Sequence, residues 1–159
     1  MSAETEQGIR AGEEEISDTT LDDYLAFVSD GLNFAVSAKY VTEIITNFII
    51  TPLPRVPDYI RGIFNLRGQV MPIIDARLRM RQRPDDGTEQ NKCVIVIICE
   101  DVSIGLLVDG VSHVVNIKTD DILPPLASNR QELVNGIVHI NSEDYLVLDC
   151  ERLVGHIQQ

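Results

Sequence analysis

Cysteine is scarce in this chain, and the three present, Cys93, Cys99 and Cys150, include no CxxC pair. An odd number without that spacing excludes both a disulfide framework and a zinc knuckle. Cys93 and Cys99 lie inside one apolar run and read as small buried hydrophobes. Aromatic residues make up only 5% of the chain, which leaves few platforms on which nucleic-acid bases can stack. The apolar residues come in runs of four to eight, far short of the roughly 18 to 20 that a membrane span requires. The N-terminal stretch lacks the basic-then-apolar order of a secretory signal, so the expected location is the cytoplasm, with no direct membrane insertion.

The signatures of common catalysis are also missing. There is no GxxxxGK(S/T) or GxGxxG to cradle phosphates, no GxSxG nucleophile elbow and no HExxH. His113, His139 and His156 lie far apart, each without a second ligand at metal spacing. Asp85-Asp86 precedes Gly87, and Asp120-Asp121 falls in a polar break, so both pairs read as turns or connections. No catalytic, cofactor-binding or metal-binding residue is assigned. An enzyme would need a site assembled from dispersed residues.

What is present is an acidic chain of 159 residues with a net charge of -12, enough length for one domain and a sizeable core. That charge opposes general affinity for nucleic acid or anionic lipid. It hides a local asymmetry: seven of the ten arginines (Arg55, Arg61, Arg67, Arg77, Arg79, Arg81, Arg83) fall within residues 55–86, beside four acids. Residues 1–21 carry six acids and little that is apolar, a composition that predicts a disordered tail. From Asp22 onward short apolar runs alternate with turn signals. Ser29-Asp30-Gly31 predicts a hairpin. Ser37 predicts a short capped helix with Tyr40, Val41, Ile44 and Ile45 on one face. Glu100-Asp101 and Asp109-Gly110 predict turns joining three strands between Val94 and Ile117, and two more strands flank Asn141-Ser142. Many short strands with brief helices predict an all-β architecture.

Self-comparison sharpens this. Gly62-Ile63 recurs as Gly136-Ile137, and Ile74-Asp75 is echoed by Leu148-Asp149, each 74 residues on. Phe34-Ala35-Val36 is echoed by Leu106-Leu107-Val108 at an offset of 72. Two similar β-barrel subdomains in one chain are one reading, chance likeness of β-meanders the other.

Between the apolar runs Ile63–Leu66 and Val70–Ile74 stands Arg67-Gly68, the reversal of a hairpin in which glycine supplies the positive φ. Pro72 cannot donate to a ladder, which places the returning strand at an edge or turns its nitrogen outward. Arg67 then projects from a rigid tip as a preorganised fork for a carboxylate or amide. Solubility, or an internal pair with Glu43, are the plainer alternatives.

The ordered set Val41-Thr42-Glu43-Ile44, Ile60-Arg61-Gly62-Ile63-Phe64-Asn65-Leu66-Arg67-Gly68, Met71-Pro72-Ile73-Ile74-Asp75-Ala76-Arg77 and Gly105-Leu106-Leu107-Val108-Asp109-Gly110-Val111 resembles the CheW-like family of bacterial chemotaxis coupling proteins. The likeness covers roughly residues 22–155. It implies two SH3-like five-stranded β-barrel subdomains within one CheW-like domain over residues 22–159. It also implies a non-enzymatic adaptor that binds the cytoplasmic hairpin tip of chemoreceptors and the regulatory domain of the histidine kinase CheA. Such a protein is a monomer that joins receptor arrays at the inner membrane with its partners. Carried over, Val41, Glu43, Gly62 and Arg67 match receptor-contact positions, and Cys93, Val94, Gly105, Val111 and Val114 match positions contacting receptor or kinase. Two features depart from or lie outside the family pattern: Ala35 stands where many relatives have glycine, and Arg79–Arg83 is read as a solvated loop. A nucleic-acid-binding small barrel is the competing reading, resting on the basic segment.

Overall fold

The computed structural model describes residues 21–84, 91–125 and 132–155; residues 1–20 of the acidic segment, Asp85-Asp86 and His156 lie outside them, while Leu21, read as the last residue of the tail, is instead in a strand and pairs with Lys118. Strands β1 (Leu21–Ser29) and β2 (Leu32–Ser37) form the first hairpin. Asp30 and Gly31 at its turn both take positive φ, 49° and 79°, the pair of values that lets a two-residue turn follow the strand twist. The predicted helix after Ser37 is absent. A single 3-10 turn, Ala38–Tyr40, leads into strand β3 (Val41–Ile45), and the Ser37 side chain caps nothing. Val-Thr-Glu-Ile-Ile is rich in β-branched residues, its burial alternates along the strand, and pairing with a neighbour outweighs the weak cap signal.

Strands β4 (Ile60–Leu66) and β5 (Gln69–Asp75) form the Arg67-Gly68 hairpin, followed by the one-turn helix α1 (Ala76–Arg79). Then come β6 (Cys93–Cys99), β7 (Val102–Val108), β8 (Gly110–Lys118), a 3-10 turn at Thr119–Asp121, β9 (Val134–Ile140), β10 (Glu143–Leu148) and helix α2 (Cys150–Gly155). The strands build two five-stranded sheets. Sheet I runs β9-β10-β2-β1-β8 and sheet II runs β3-β6-β7-β5-β4. Pro72 is not on an edge strand: β5 lies between β4 and β7, and its parallel pairing with β7 begins at Ile73, one residue past the proline.

Asp109-Gly110 is not a hairpin turn either. β7 ends in sheet II and β8 begins in sheet I, so these residues cross between sheets. Neither has the positive φ that a two-residue hairpin needs. The Asp109 N–H instead donates to the Val28 carbonyl of sheet I at 3.0 Å. Long-range bonding has overruled a local preference.

The two sheets repeat one arrangement. Thr51 bridges to Ile63 beside Gly62, and Leu123 bridges to Ile137 beside Gly136. A Cβ at Gly62 would sit 2.2 Å from the Thr51 carbonyl oxygen, and one at Gly136 would sit 2.3 Å from that of Leu123. Asp75 and Asp149 each donate a backbone N–H to a carbonyl, Tyr59 and Leu133, and each side chain accepts from the first turn of the helix that follows. The hairpins, however, align at an offset of 70 rather than 72: Ala26 pairs with Ala35 as Val96 pairs with Gly105. By the same register Val41, beside Ile97, corresponds to Val111, beside Phe27.

Alternation along the strands sends each sheet into two cores. Leu25, Phe27, Phe34 and Val36 of sheet I join Ile74, Ile95, Ile97, Ile104 and Leu106 of sheet II in one shared cluster. Phe27 and Phe34 stack there at 5.4 Å. Their neighbours Ala26 and Ala35 point the other way, into a cluster with Val115, Val138, Tyr145 and Val147. Phe64, Met71, Ile73, Val94, Val96 and Leu107 form the counterpart in sheet II.

A polar network joins the sheets at the Asp109 crossing. Arg77 lies 2.8 Å and Lys92 2.5 Å from the Asp109 carboxylate, and Arg83 lies 2.7 Å from Asp30. Burial pushes the Asp109 carboxyl up, but hydrogen bonds from Arg77 and Lys92 outweigh it and hold the group below its ordinary value. The hydrogen bond from Arg83 does the same for Asp30.

Because both folded-state values are depressed, the stability these carboxylates contribute is present above about pH 4 and is lost as pH falls through the folded values. Urea melts from pH 7 to pH 3 should show the midpoint falling below about pH 4, and Asp109→Asn should flatten that fall. Gly62→Ala and Gly136→Ala should each cost about 2 kcal/mol or more, because the added methyl meets backbone oxygen. A melting temperature within a degree of the parent in either variant would contradict the close approach.

Candidate partner-binding site

Arg67 and Gly68 turn the β4–β5 hairpin with φ of 53° and 89°. The Asn65 side chain accepts the Gly68 N–H at 2.8 Å and stiffens the tip. The Arg67 side chain is 71% exposed, yet it is engaged. Its Nη1 donates to Glu43 Oε2 at 2.6 Å and its Nη2 to Oε1 at 2.9 Å, a two-pronged pair. The hydrogen bond from Arg67 lowers the Glu43 carboxyl, and the same bond raises the guanidinium. Glu43 stands on β3 and Arg67 at the end of β4, which are opposite edges of sheet II. A contact between opposite edges requires the sheet to curl until they meet, so the pair lies across the closing seam.

Next to Glu43 on the same strand, Val41 is half-buried against the shared cluster and Ile44 is 42% exposed. On β8, the outer strand of sheet I, Val111 is half-buried against the same cluster and Val114 is 58% exposed. The two strands thus present matching apolar edges at the rim of one core. Ile44 is the residue that the sequence reading missed as a surface group. Its signal was the two-residue alternation of Val41–Ile45, obscured by treating the segment as helix.

The other proposed contact residues sit differently. Cys93 is half-buried at the start of β6. Val94 is fully buried, and a Cβ at Gly105 would lie 2.7 Å from both Ile73 Cδ1 and Val94 Cγ1. Gly62 is buried beneath Thr51. These three have no side-chain surface to offer, and act on any partner through the strands they pack.

The basic segment is largely consumed internally. Arg61 binds Asp75, Arg67 binds Glu43, Arg77 and Arg83 bind Asp30 or Asp109, and buried Arg79 lies over the Tyr59 ring and reaches Glu132 at 3.4 Å. Arg79–Arg83 is therefore buried at its Arg79 end, whereas Arg81 and Arg83 are exposed as a solvated segment would be. Among the described residues no three His, Cys, Asp or Glu side chains gather as metal ligands, and no helix is long and apolar enough to cross a membrane.

The family model for the CheW-like domain matches residues 23–158. This chain belongs to the CheW-like family. It is 32% identical over 138 residues to the probable chemotaxis protein CheW of Rhizobium etli, covering 84% of this chain and 88% of that one. To the chemotaxis protein CheW of Klebsiella aerogenes it is 28% identical, covering 87% and 84%. The crystal structure of the scaffolding protein TtCheW from Thermoanaerobacter tengcongensis superposes with a TM-score of 0.74 at 25% identity, over 80% of this chain and 88% of that one. The all-β architecture of two five-stranded sheets is thus the fold of a CheW-like chain.

An exposed pair at the seam of a curled sheet adds little stability. Arg67→Ala and Glu43→Gln should each fold with native circular dichroism and a melting temperature within about 4 °C of the parent. A larger drop would identify the pair as a structural closure of sheet II rather than a presented group.

Proposed function

We propose that this chain is a non-enzymatic adaptor of bacterial chemotaxis that couples the cytoplasmic hairpin tip of chemoreceptors to the regulatory domain of the histidine kinase CheA. The observation that carries this reading is the Arg67–Glu43 pair, mounted on a stiff hairpin tip, with Glu43 on the same strand as the exposed apolar group Ile44. A helical hairpin offers an apolar ridge flanked by polar side chains. The ridge lies against Val41, Val111 and Val114, as a helix lies in a groove. Arg67 and Glu43 then exchange their mutual bonds for bonds to the receptor, which fixes register. Each charge keeps a partner throughout, so little is lost in the exchange. Cys93, together with the strands packed over Gly62, Val94 and Gly105, completes the contact surface for receptor or kinase.

An adaptor of this kind works by holding its partners in place, with no bond made or broken. The CheW-like domain spans residues 22–159, the acidic segment 1–21 precedes it, and the monomer works in the cytoplasm within receptor arrays at the inner membrane. Nucleic acid is not a partner in this reading. Five of the seven clustered arginines (Arg61, Arg67, Arg77, Arg79 and Arg83) already neutralise the chain's own carboxylates, which leaves little cationic surface to displace counterions.

Co-sedimentation with receptor signalling fragments and CheA, with kinase autophosphorylation as the readout, tests the proposal. The parent chain should join the complex and activate the kinase. Arg67→Glu places like charges side by side at the seam and should lose receptor-dependent activation roughly tenfold or more while remaining folded. Undiminished activation by that variant would remove Arg67 from the contact. Absence of any complex with the parent would remove the adaptor function.

A further inference from the structure

Asp109 has a place in the chain unlike that of any other acid. It is the single residue linking β7 of sheet II to β8 of sheet I. Its carboxylate accepts from Arg77 Nε at 3.0 Å, Lys92 Nζ at 2.5 Å and the Asp30 N–H at 2.7 Å, and its own N–H donates to the Val28 carbonyl at 3.0 Å. Arg77 follows β5, Lys92 precedes β6, and Asp30 and Val28 belong to the first hairpin of sheet I. One side chain therefore ties two connections of sheet II to the turn of sheet I. Arg77 also reaches Asp30 at 3.4 Å and the Arg83 carbonyl at 3.1 Å. The side chains involved are mostly desolvated, 10% exposed for Lys92, 13% for Asp30 and 19% for both Arg77 and Asp109. Apolar contact holds two sheets together without specifying an angle, whereas directional bonds between desolvated charges do specify one.

The second crossing, at Ala38–Tyr40, supplies a control within the molecule. By the register of the two sheets, Lys39 stands where Asp109 does and Asp22 where Lys92 does, each 70 residues earlier, while Glu151 stands where Arg77 does, 74 later. The charges are inverted position by position. Yet Lys39 lies over the Tyr40 ring, 5.1 Å from its centre, and among the described residues no ion pair joins Asp22, Lys39 and Glu151. A cavity of about 670 Å³ lined by these residues with Tyr24, Asn135 and Asp149 occupies that place. One crossing is clamped and the other is open.

We infer that Asp109 is a positioning residue for the docking face: it fixes where β8, with Val111 and Val114, begins relative to β3, with Val41, Glu43 and Ile44. The inference rests on the adaptor reading for the meaning of that face, but its geometric content is independent. Thr42 and Ser112 are exposed on the two strands. In a Cys93→Ser background, spin labels on Thr42→Cys and Ser112→Cys report the β3–β8 distance by pulsed electron spin resonance, and the kinase assay is run on the Asp109, Lys92 and Lys39 variants of the chain with Cys93, Thr42 and Ser112 intact. Asp109→Asn keeps shape and loses charge. It should broaden or shift the distance distribution and lower receptor-dependent activation. Lys92→Met should do the same to a smaller degree and decides the matter should Asp109→Asn fail to fold. Lys39→Ala, at the open crossing, should change neither readout. A folded Asp109→Asn with the parental distance distribution overturns the inference, as does a broadened distribution with activation unchanged. If the parent itself activates no kinase, the adaptor reading fails, and the distance measurement still decides whether Asp109 positions β8.

Discussion

The structure depends on one shared apolar core between two sheets, which the chain crosses twice among the described residues. Phe27, Phe34 and Val36 from one sheet meet Ile95, Ile97 and Leu106 from the other, so neither sheet buries its inner face alone. Everything at the surface inherits its placement from that contact. Val41 and Val111 sit half-buried at its rim, and their strands carry the exposed groups Ile44 and Val114 outward. The face proposed for docking is in this sense the visible edge of the core. Gly62 and Gly105 serve sheet II's own packing instead: one admits the Thr51 backbone, the other admits the side chains of Ile73 and Val94.

Electrostatics divides the work differently. The arginines in the middle of the chain give the impression of a basic patch when read in order, but folding spends most of them on internal carboxylates. Asp30 and Asp109 hold one crossing, and Asp75 holds Arg61 beside the β4–β5 hairpin. Arg67 and Arg83 both keep most of their side chains in water, but of the two only Arg67 stands at a hairpin tip with its two terminal nitrogens on the two oxygens of one carboxylate. That combination of rigidity and access suits exchange with a partner, since a preorganised pair loses little entropy when one member changes.

Much of the fold was legible in the sequence where local stereochemistry decides. Asp30-Gly31, Arg67-Gly68, Glu100-Asp101 and Asn141-Ser142 all turn hairpins, each through residues with positive φ. The Gly62 and Gly136 echo was legible because a backbone contact at both places admits no side chain. Legibility failed where distant bonds won. Asp109-Gly110 has the composition of a tight turn, but its carboxylate is claimed by Arg77 and Lys92. Ser37 has the composition of a helix cap, but β6 offers Val41–Ile45 a strand partner. The Glu43–Arg67 pair was nameable only as an alternative, since its members lie 24 residues apart on opposite sheet edges.

The order in which the strands enter the two sheets also has a consequence for synthesis. Sheet II is made from one unbroken run, β3 through β7, and all its partners are present once residue 108 has emerged. Sheet I receives β1 and β2 first but obtains β8, β9 and β10 last, and its parallel pairing of Phe34 with Leu146 spans 112 positions. Contacts so distant close slowly. A nascent or truncated chain therefore displays Glu43 and the Arg67 tip long before it owns β8, and it carries an unfinished apolar hairpin at its beginning. The strand carrying Val111 and Val114 is complete at residue 118, yet the sheet that holds it closes only when β9 and β10 follow.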